Sequence, residues 1–293
     1  MCIRDRPISL VEKLRSRLTE AMISRAGIKH LGLANRLRDC LNSSSVNVGL
    51  VRDPIIEGAF PYLSSDKTLG ELAGNLLHKK TVEALSQDPA NGFPSDRKPY
   101  KHQIEAWKAL DSRGLAKSAV ISSGTGSGKT ECFLVPMVDD FIRQVEGGKM
   151  VPGVQAIMLY PLNALIESQR ERLDAWTSPL KGKVKYGLYN GDMPNSLPSR
   201  QKKANSESSP QEIKDRSSLR DAPPSILVTN ITMLEYMLVR PQDKSIIEAS
   251  KGKLNWIVLD EAHTYVGAAA AEVALLLRRV MNAFDVVLRT LDL

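Results

Sequence analysis

The 293-residue chain predicts an α/β protein: a parallel sheet with helices on both faces, preceded by a mainly helical N-terminal segment. Three observations carry that expectation. Short apolar runs alternate with helix-patterned stretches over the second two thirds of the chain, a glycine-rich loop follows the first such run, and an acidic pair closes a later one. Strands alternating with helices fill a parallel sheet, because each crossover helix must bury its apolar stripe on a sheet face.

The elements follow in order. From "ISLVEKLRSRLTEAMIS" to "ELAGNLLHKKTVEAL" apolar residues recur every three or four positions, the spacing of a helix with one buried stripe. Residues 1–95 therefore read as a helical accessory segment. Its opening "MCIRDR" (1–6) resembles translated sequencing-adapter sequence and is set aside from fold reasoning. "SQDPANGFPSDRKP" has the prolines and polar residues of a linker, which places a boundary near residue 95, with the α/β domain over 96–293. Expected strands are "SAVIS", "VQAIMLY", "VKYGLY", "SILVT", "NWIVLD" and finally "DVVL", and expected helices begin at Lys129 and run through "NALIESQRERLDAW", "TMLEYMLV" and "AAAAEVALLLRRVMNAF". Residues 193–224 are rich in Ser, Pro and charge, a composition too poor in apolar residues to pack, and read as a flexible surface insertion.

Composition bounds the function. With 42% hydrophobic and 25% charged residues the chain can build a sizeable core. No run approaches the ~18 apolar residues of a membrane span, and the N-terminus lacks the apolar core of a secretory signal, so a cytoplasmic protein with no membrane partner is expected. Cys2, Cys40 and Cys132 have no close spacing and suit neither a disulfide framework nor a zinc site. The net charge of +7, with nine Lys or Arg against four acids in residues 1–40, permits a polyanionic partner, while an ordinary solvated helix face explains it equally.

The chemistry is concentrated in two stretches. Ser123-Gly124-Thr125-Gly126-Ser127-Gly128-Lys129-Thr130 has the GxxxxGK[ST] spacing with Ser in the first position. Glycines let backbone N–H groups turn inward around phosphates, Lys129 can reach the β and γ oxygens, and Thr130 offers a hydroxyl to Mg2+. The helix that follows adds its positive end. "WIVLDEAH" supplies the acidic half: Asp260 to hold the metal, and Glu261 to orient or deprotonate an attacking water. A base for water favours an ATPase over a kinase.

"DEAH" after an apolar strand, "GTGSGKT" and the upstream "YKHQ" together resemble the superfamily 2 helicases of the DEAD/DEAH-box type. The longer wording "YPLNAL", "YNGDMP", "ILVTNITMLEYML" and "VLDEAHTYVGAAAAEVALLLRR" resembles the bacterial YprA/MrfA type over residues 98–285. The resemblance implies a RecA-like fold with ATP and Mg2+ as cofactors, and ATP-driven separation of DNA strands in repair or phage defence. It further implies that Gln103 reads the adenine edge, that Tyr100 packs near the base, and that His263 couples the site to movement. For Tyr100 a core position is equally open. Pro161, Asn163, Gln169, Thr229 and Asn230 would contact the nucleic-acid backbone, although Asn and Thr at helix starts also cap them. "YNGD" reads equally as a plain turn. The resemblance also implies a second RecA-like domain bearing arginines for the γ-phosphate, which this sequence does not contain, so the chain is expected to be a piece of a longer protein, weak in turnover by itself. Two other readings stay open: a duplex-DNA translocase that does not unwind, and an interaction module switched by nucleotide.

Overall fold

The computed structural model describes residues 7–43, 49–51, 62–114, 118–124 and 126–286. Residues 1–6, Thr125 of the glycine-rich loop, and the second half (287–288) of the expected "DVVL" strand lie outside them. The chain divides into two compact units, Met1–Pro61 and Tyr62–Leu293.

In the first unit helices α1 (Pro7–Ala26) and α2 (Leu31–Asn42) are tied by Arg38, whose Nε and Nη2 donate to the two carboxylate oxygens of Glu20 at 2.7 and 3.1 Å. The buried Thr19 hydroxyl donates to Asn42 Oδ1 at 3.0 Å. His30 starts α2, its Nδ1 accepting the Leu33 N–H, an Asn-like capping role for a ring nitrogen.

The second unit is built on five strands, β1 (Ala156–Leu159), β2 (Tyr186–Tyr189), β3 (Glu212–Ile213), β4 (Ile226–Thr229) and β5 (Trp256–Leu259). They lie in the order β3-β2-β4-β1-β5, and every pairing is parallel. Side chains alternate between two cores, as strand geometry requires. Ala156, Met158, Ile226 and Val228 face one core with Phe133, Val138 and Phe141 of α5 (Lys129–Glu146) and Ile166 and Leu173 of α6 (Asn163–Thr177). Ile157, Leu159 and Leu227 face the other, with Leu234 and Met237 of α9 (Ile231–Val239), Ile246 of α10 (Lys244–Ser250) and Leu276 and Val280 of α11 (Ala268–Ala283). The sheet is thus covered on both faces, as expected.

Three expectations are corrected. The boundary near residue 95 moves to 61/62, because the proline-rich stretch is pinned to the sheet unit. Phe93 N–H bonds Leu85 O at 2.6 Å, and Ser65 N–H bonds Pro99 O at 2.8 Å. The indole of Trp176 donates to Asn91 O at 3.0 Å, and Leu77 and Leu85, the latter in α3 (Lys79–Ser86), share the core of α5.

The second correction concerns "SAVIS". Residues 118–122 form no strand, and Val120 is 97% exposed. A strand needs a neighbour to take its N–H and C=O groups, and among the described residues β5 pairs with β1 alone.

The third concerns residues 193–224, which carry α7 (Ser199–Ser208), β3 and α8 (Arg216–Asp221). Side-chain bonding orders this polar sequence. Asp215 caps α8 by accepting the Ser218 N–H at 3.0 Å, and it also accepts the Ser217 and Ser218 hydroxyls. Gln211 Nε2 donates to Asp174 at 2.6 Å, and Arg220 Nε donates at 2.8 Å to Asp243, itself wholly buried.

Candidate functional site

The strands end flush. Leu159 lies opposite both Thr229 and Leu259, and Tyr189 lies opposite Thr229. The segments beginning at Tyr160, Asn190, Asn230 and Asp260 therefore leave the sheet along one edge, the carboxyl edge where open parallel sheets bind ligands.

The glycine-rich loop is shaped by two left-handed glycines, Gly126 and Gly128, both at φ 74. A side chain at Gly128 would also run into Gln103 Nε2. Ser123 and Ser127 hydroxyls bond each other at 2.6 Å across the loop, and Lys129 Nζ donates to Ser123 O at 3.1 Å. With Gly128 as N-cap, α5 begins at Lys129 with no side-chain cap, which leaves its first amides to another acceptor. Arg97, Tyr100, Gly126, Ser127, Gly128, Lys129, Thr130, Glu131 and Arg172 line a cleft of about 330 Å3.

Helix α4 (Lys101–Ala109) holds the loop from behind. Gln103 accepts the Tyr100 N–H at 2.9 Å and donates to Gly128 O at 3.2 Å. His102 Nε2 lies 3.0 Å from Ser127 O, and Trp107 Nε1 donates to Glu131 O at 2.9 Å. Gln103 is 2% exposed, so the residue that the resemblance assigns to adenine spends both ends of its amide inside the protein. Tyr100 is half-buried, stacked on His102 with ring centroids 5.6 Å apart, and Tyr62 packs against both rings.

Asp260 follows β5, its N–H bonded to Leu159 O at 3.0 Å. Burial raises its carboxyl above the ordinary aspartate range and the Glu261 charge adds to this, while the Glu261 N–H, bonded to Oδ1 at 2.8 Å, and the Lys129 charge oppose it. Loop lysine and strand-end carboxylate thus sense each other. Glu261 has φ 50, a left-handed conformation that costs a non-glycine residue roughly 1 kcal/mol and clusters at functional sites. His263 Nδ1 lies 3.2 Å from Glu261 Oε2, with its side chain 76% exposed.

The nucleic-acid candidates fare unevenly. Asn163 and Asn230 meet: Asn230 Nδ2 donates to Asn163 Oδ1 at 2.8 Å while Asn230 Oδ1 caps α9 by accepting the Met233 N–H at 2.8 Å. Pro161 is half-buried in the turn after β1. Gln169 lies on α6, its Nε2 donating to Ser168 Oγ at 3.3 Å. Thr229 is corrected: it is wholly buried and its hydroxyl donates to Tyr189 O at 2.6 Å, so its side chain holds β2 to β4 and is closed to a ligand. Sequence reasoning missed Arg97 and Arg172, since a lone arginine on a linker or helix carries no motif.

Among the described residues no group of three His, Cys, Asp or Glu side chains is placed to hold a metal. Cys40 and Cys132 are free. Burial pushes the Cys132 thiol up to about 12, which keeps it protonated at neutral pH. No helix among the described residues is long and apolar enough to cross a membrane.

An open parallel sheet with a lysine-bearing glycine loop at a helix start and an acidic pair after a neighbouring strand defines a phosphate-loop domain. The DEAD/DEAH box helicase family model matches residues 100–290, and the chain belongs to that family. It is 30% identical to Druantia protein DruE of Escherichia coli (strain UMEA 4076-1), over 80% of this chain and 17% of that protein. It is 27% identical to the uncharacterized ATP-dependent helicase YprA of Bacillus subtilis (strain 168), over 62% of this chain and 20% of that protein. The crystal structure of DUF1998 helicase MrfA superposes with a TM-score of 0.51 at 25% identity, covering 73% of this chain and 28% of that one, and MrfA has also been solved bound to DNA. The fold is RecA-like. The chain spans less than a third of each of these relatives.

Proposed function

We propose that residues 62–286 form the first motor domain of an ATP-dependent DNA helicase, binding ATP·Mg2+ in the cleft of the glycine-rich loop and single-stranded DNA along the carboxyl edge. The observation that carries this reading is the convergence of Lys129 and the uncapped start of α5 on one cleft, with the half-buried Asp260 near enough for the Lys129 charge to act on its carboxylate. Backbone amides of Gly126 to Thr130 and Lys129 Nζ would bind the phosphates. Lys129 would exchange its bond to Ser123 O for a charge-assisted one. Thr130 and Asp260 would hold Mg2+, which when bound neutralises charge developing on the phosphates. Glu261 would orient the water, with His263 beside it to report the state of the site. Gln103 would act on ATP through Gly128, and Tyr100 beside the loop would flank the base. Asn163, with Pro161, Gln169 and Asn230 around the same turns, would meet the DNA backbone. MrfA solved with both DNA and AMPPNP supports assigning two ligands to this fold.

The test separates metal from water. Glu261→Gln keeps the size and leaves the magnesium shell intact, so a fluorescent ATP analogue with Mg2+ binds as in the unmodified chain, while hydrolysis, measured with saturating DNA in a protein that carries the second RecA-like domain, collapses. Asp260→Asn loses Mg2+-dependent affinity as well. Equal binding losses in both variants would contradict separate roles. Anisotropy with labelled single-stranded and duplex oligonucleotides tests the second ligand. A preference for single strands supports a helicase, whereas a preference for duplex would replace it with a translocase.

A further inference from the structure

Tyr160 is a residue on this edge that the proposed mechanism leaves unused. It follows β1 directly, and the register Leu159↔Leu259 makes it the neighbour of Asp260. Paired residues on parallel strands point to the same face. Leu159 and Leu259 pack in one core while Tyr160 belongs to the other, so Tyr160 and Asp260 both project toward the α5 and α6 side, where the glycine-rich loop lies. Tyr160 is 1% exposed, yet its hydroxyl has no hydrogen-bond partner among the described residues. An unsatisfied buried hydroxyl costs roughly 1–3 kcal/mol, and phenylalanine would fill the same space without that cost.

Burial is the main cause that holds the Tyr160 phenol well above its ordinary range, the Asp260 charge adds to it and the Arg172 charge opposes it. Arg172, on α6, lies 3.6 Å from Glu131 at the start of α5 and lines the same cleft as Lys129 and Thr130.

We propose that Tyr160 is a positioning residue for the metal site, its hydroxyl donating a hydrogen bond to the ionised Asp260 carboxylate when Mg2+ and nucleotide are bound and so fixing the oxygen that faces the metal. The inference rests on the reading of Asp260 as the Mg2+ residue. A carboxylate has several lone-pair sites, and among the described residues Oδ1 accepts the Glu261 N–H alone. A second donor would fix the carboxylate's rotation, as partners of metal ligands commonly do, and their loss typically weakens metal affinity on the order of 10- to 100-fold.

The experiment uses Tyr160→Phe in the 293-residue chain, with Asp260→Asn as control. A fluorescent ATP analogue is titrated at fixed Mg2+ concentrations and again in EDTA, and thermal unfolding is followed in parallel. The expected result for Tyr160→Phe is a melting temperature equal to or above that of the unmodified chain, unchanged nucleotide affinity in EDTA, and about a tenfold higher Mg2+ concentration at half-maximal binding. An unchanged Mg2+ midpoint in Tyr160→Phe, with Asp260→Asn displaced, overturns the role of Tyr160 and leaves the metal site standing. No displacement in either variant removes the metal site itself. A lower melting temperature together with weaker binding in EDTA shows a packing role and also overturns the proposal.

Discussion

The glycine-rich loop and the segment 193–224 are both polar and both border the sheet, yet they use their polar groups in opposite ways. In 193–224 the groups are spent internally: Asp215 takes the Ser217 and Ser218 hydroxyls and the Ser218 N–H, and Lys202 lies 3.1 Å from it. The Arg216 guanidinium donates to Asn190 O at 3.0 Å. The loop is instead gripped by Gln103 and His102 of α4 on the carbonyls of Gly128 and Ser127. Its left-handed glycines and the uncapped start of α5 leave backbone amides to a ligand. A self-satisfied segment contributes to stability, and a half-satisfied one contributes to binding.

The largest effect that would break this comparison is on stability. Asp215→Ala strands two hydroxyls and a helix-start amide, and should lower unfolding free energy by about 3 kcal/mol without altering nucleotide affinity, as read by urea unfolding and by titration. Burial alone would raise the Asp215 carboxyl, but the bonds from Ser217, Ser218 and Lys202 outweigh it and hold it at about 2, below its ordinary 3.8. A group depressed on folding stabilises above its unfolded value, so the contribution is complete above about pH 4 and disappears as pH falls toward 2. The difference in stability between the unmodified chain and Asp215→Ala should therefore narrow over that range. A constant difference would contradict the assignment.

A smaller effect sharpens the other side. Gln103→Ala releases the Gly128 carbonyl and the Tyr100 amide, and should weaken ATP and GTP binding alike by roughly fivefold, about 1 kcal/mol. Loss confined to ATP would return Gln103 to direct base reading. The smallest effect belongs to the approach to the loop. Val120→Lys, at a 97% exposed position, should change stability by no more than about 0.5 kcal/mol. A loss of several kcal/mol would place Val120 in a buried strand.

Much of this was readable beforehand, for identifiable reasons. Strands β1, β4 and β5 and their following helices announce themselves because both sheet faces are buried, which demands apolar runs such as "AIML" and "ILVT". The lysine loop and acidic pair are legible because phosphate binding restricts residue type at each position. The strand at Glu212–Ile213 was not, since two residues amid charge carry no period and owe their order to Asp174, Arg170 and Asp215 from elsewhere in the fold or chain. "SAVIS" misled for the converse reason, because apolar content cannot report whether a segment pairs with the sheet. Thr229 looked like a ligand contact and proved to be a cross-strand tie, and the use of Gln103 at Gly128 was invisible because it joins residues 25 apart in sequence.

The central claim is that the loop at 123–130 and Asp260 form one nucleotide site. The measurement that tests it most directly is titration of a fluorescent ATP analogue with Mg2+ into the chain and into Lys129→Ala, with melting temperatures taken on both. Removing the cation aimed at the phosphates should weaken binding on the order of 100-fold, the scale of a lost charge-assisted bond, while the melting temperature stays within about 2 °C, because the described partner of Lys129 lies in its own loop. Equal affinity in the two proteins would contradict the claim.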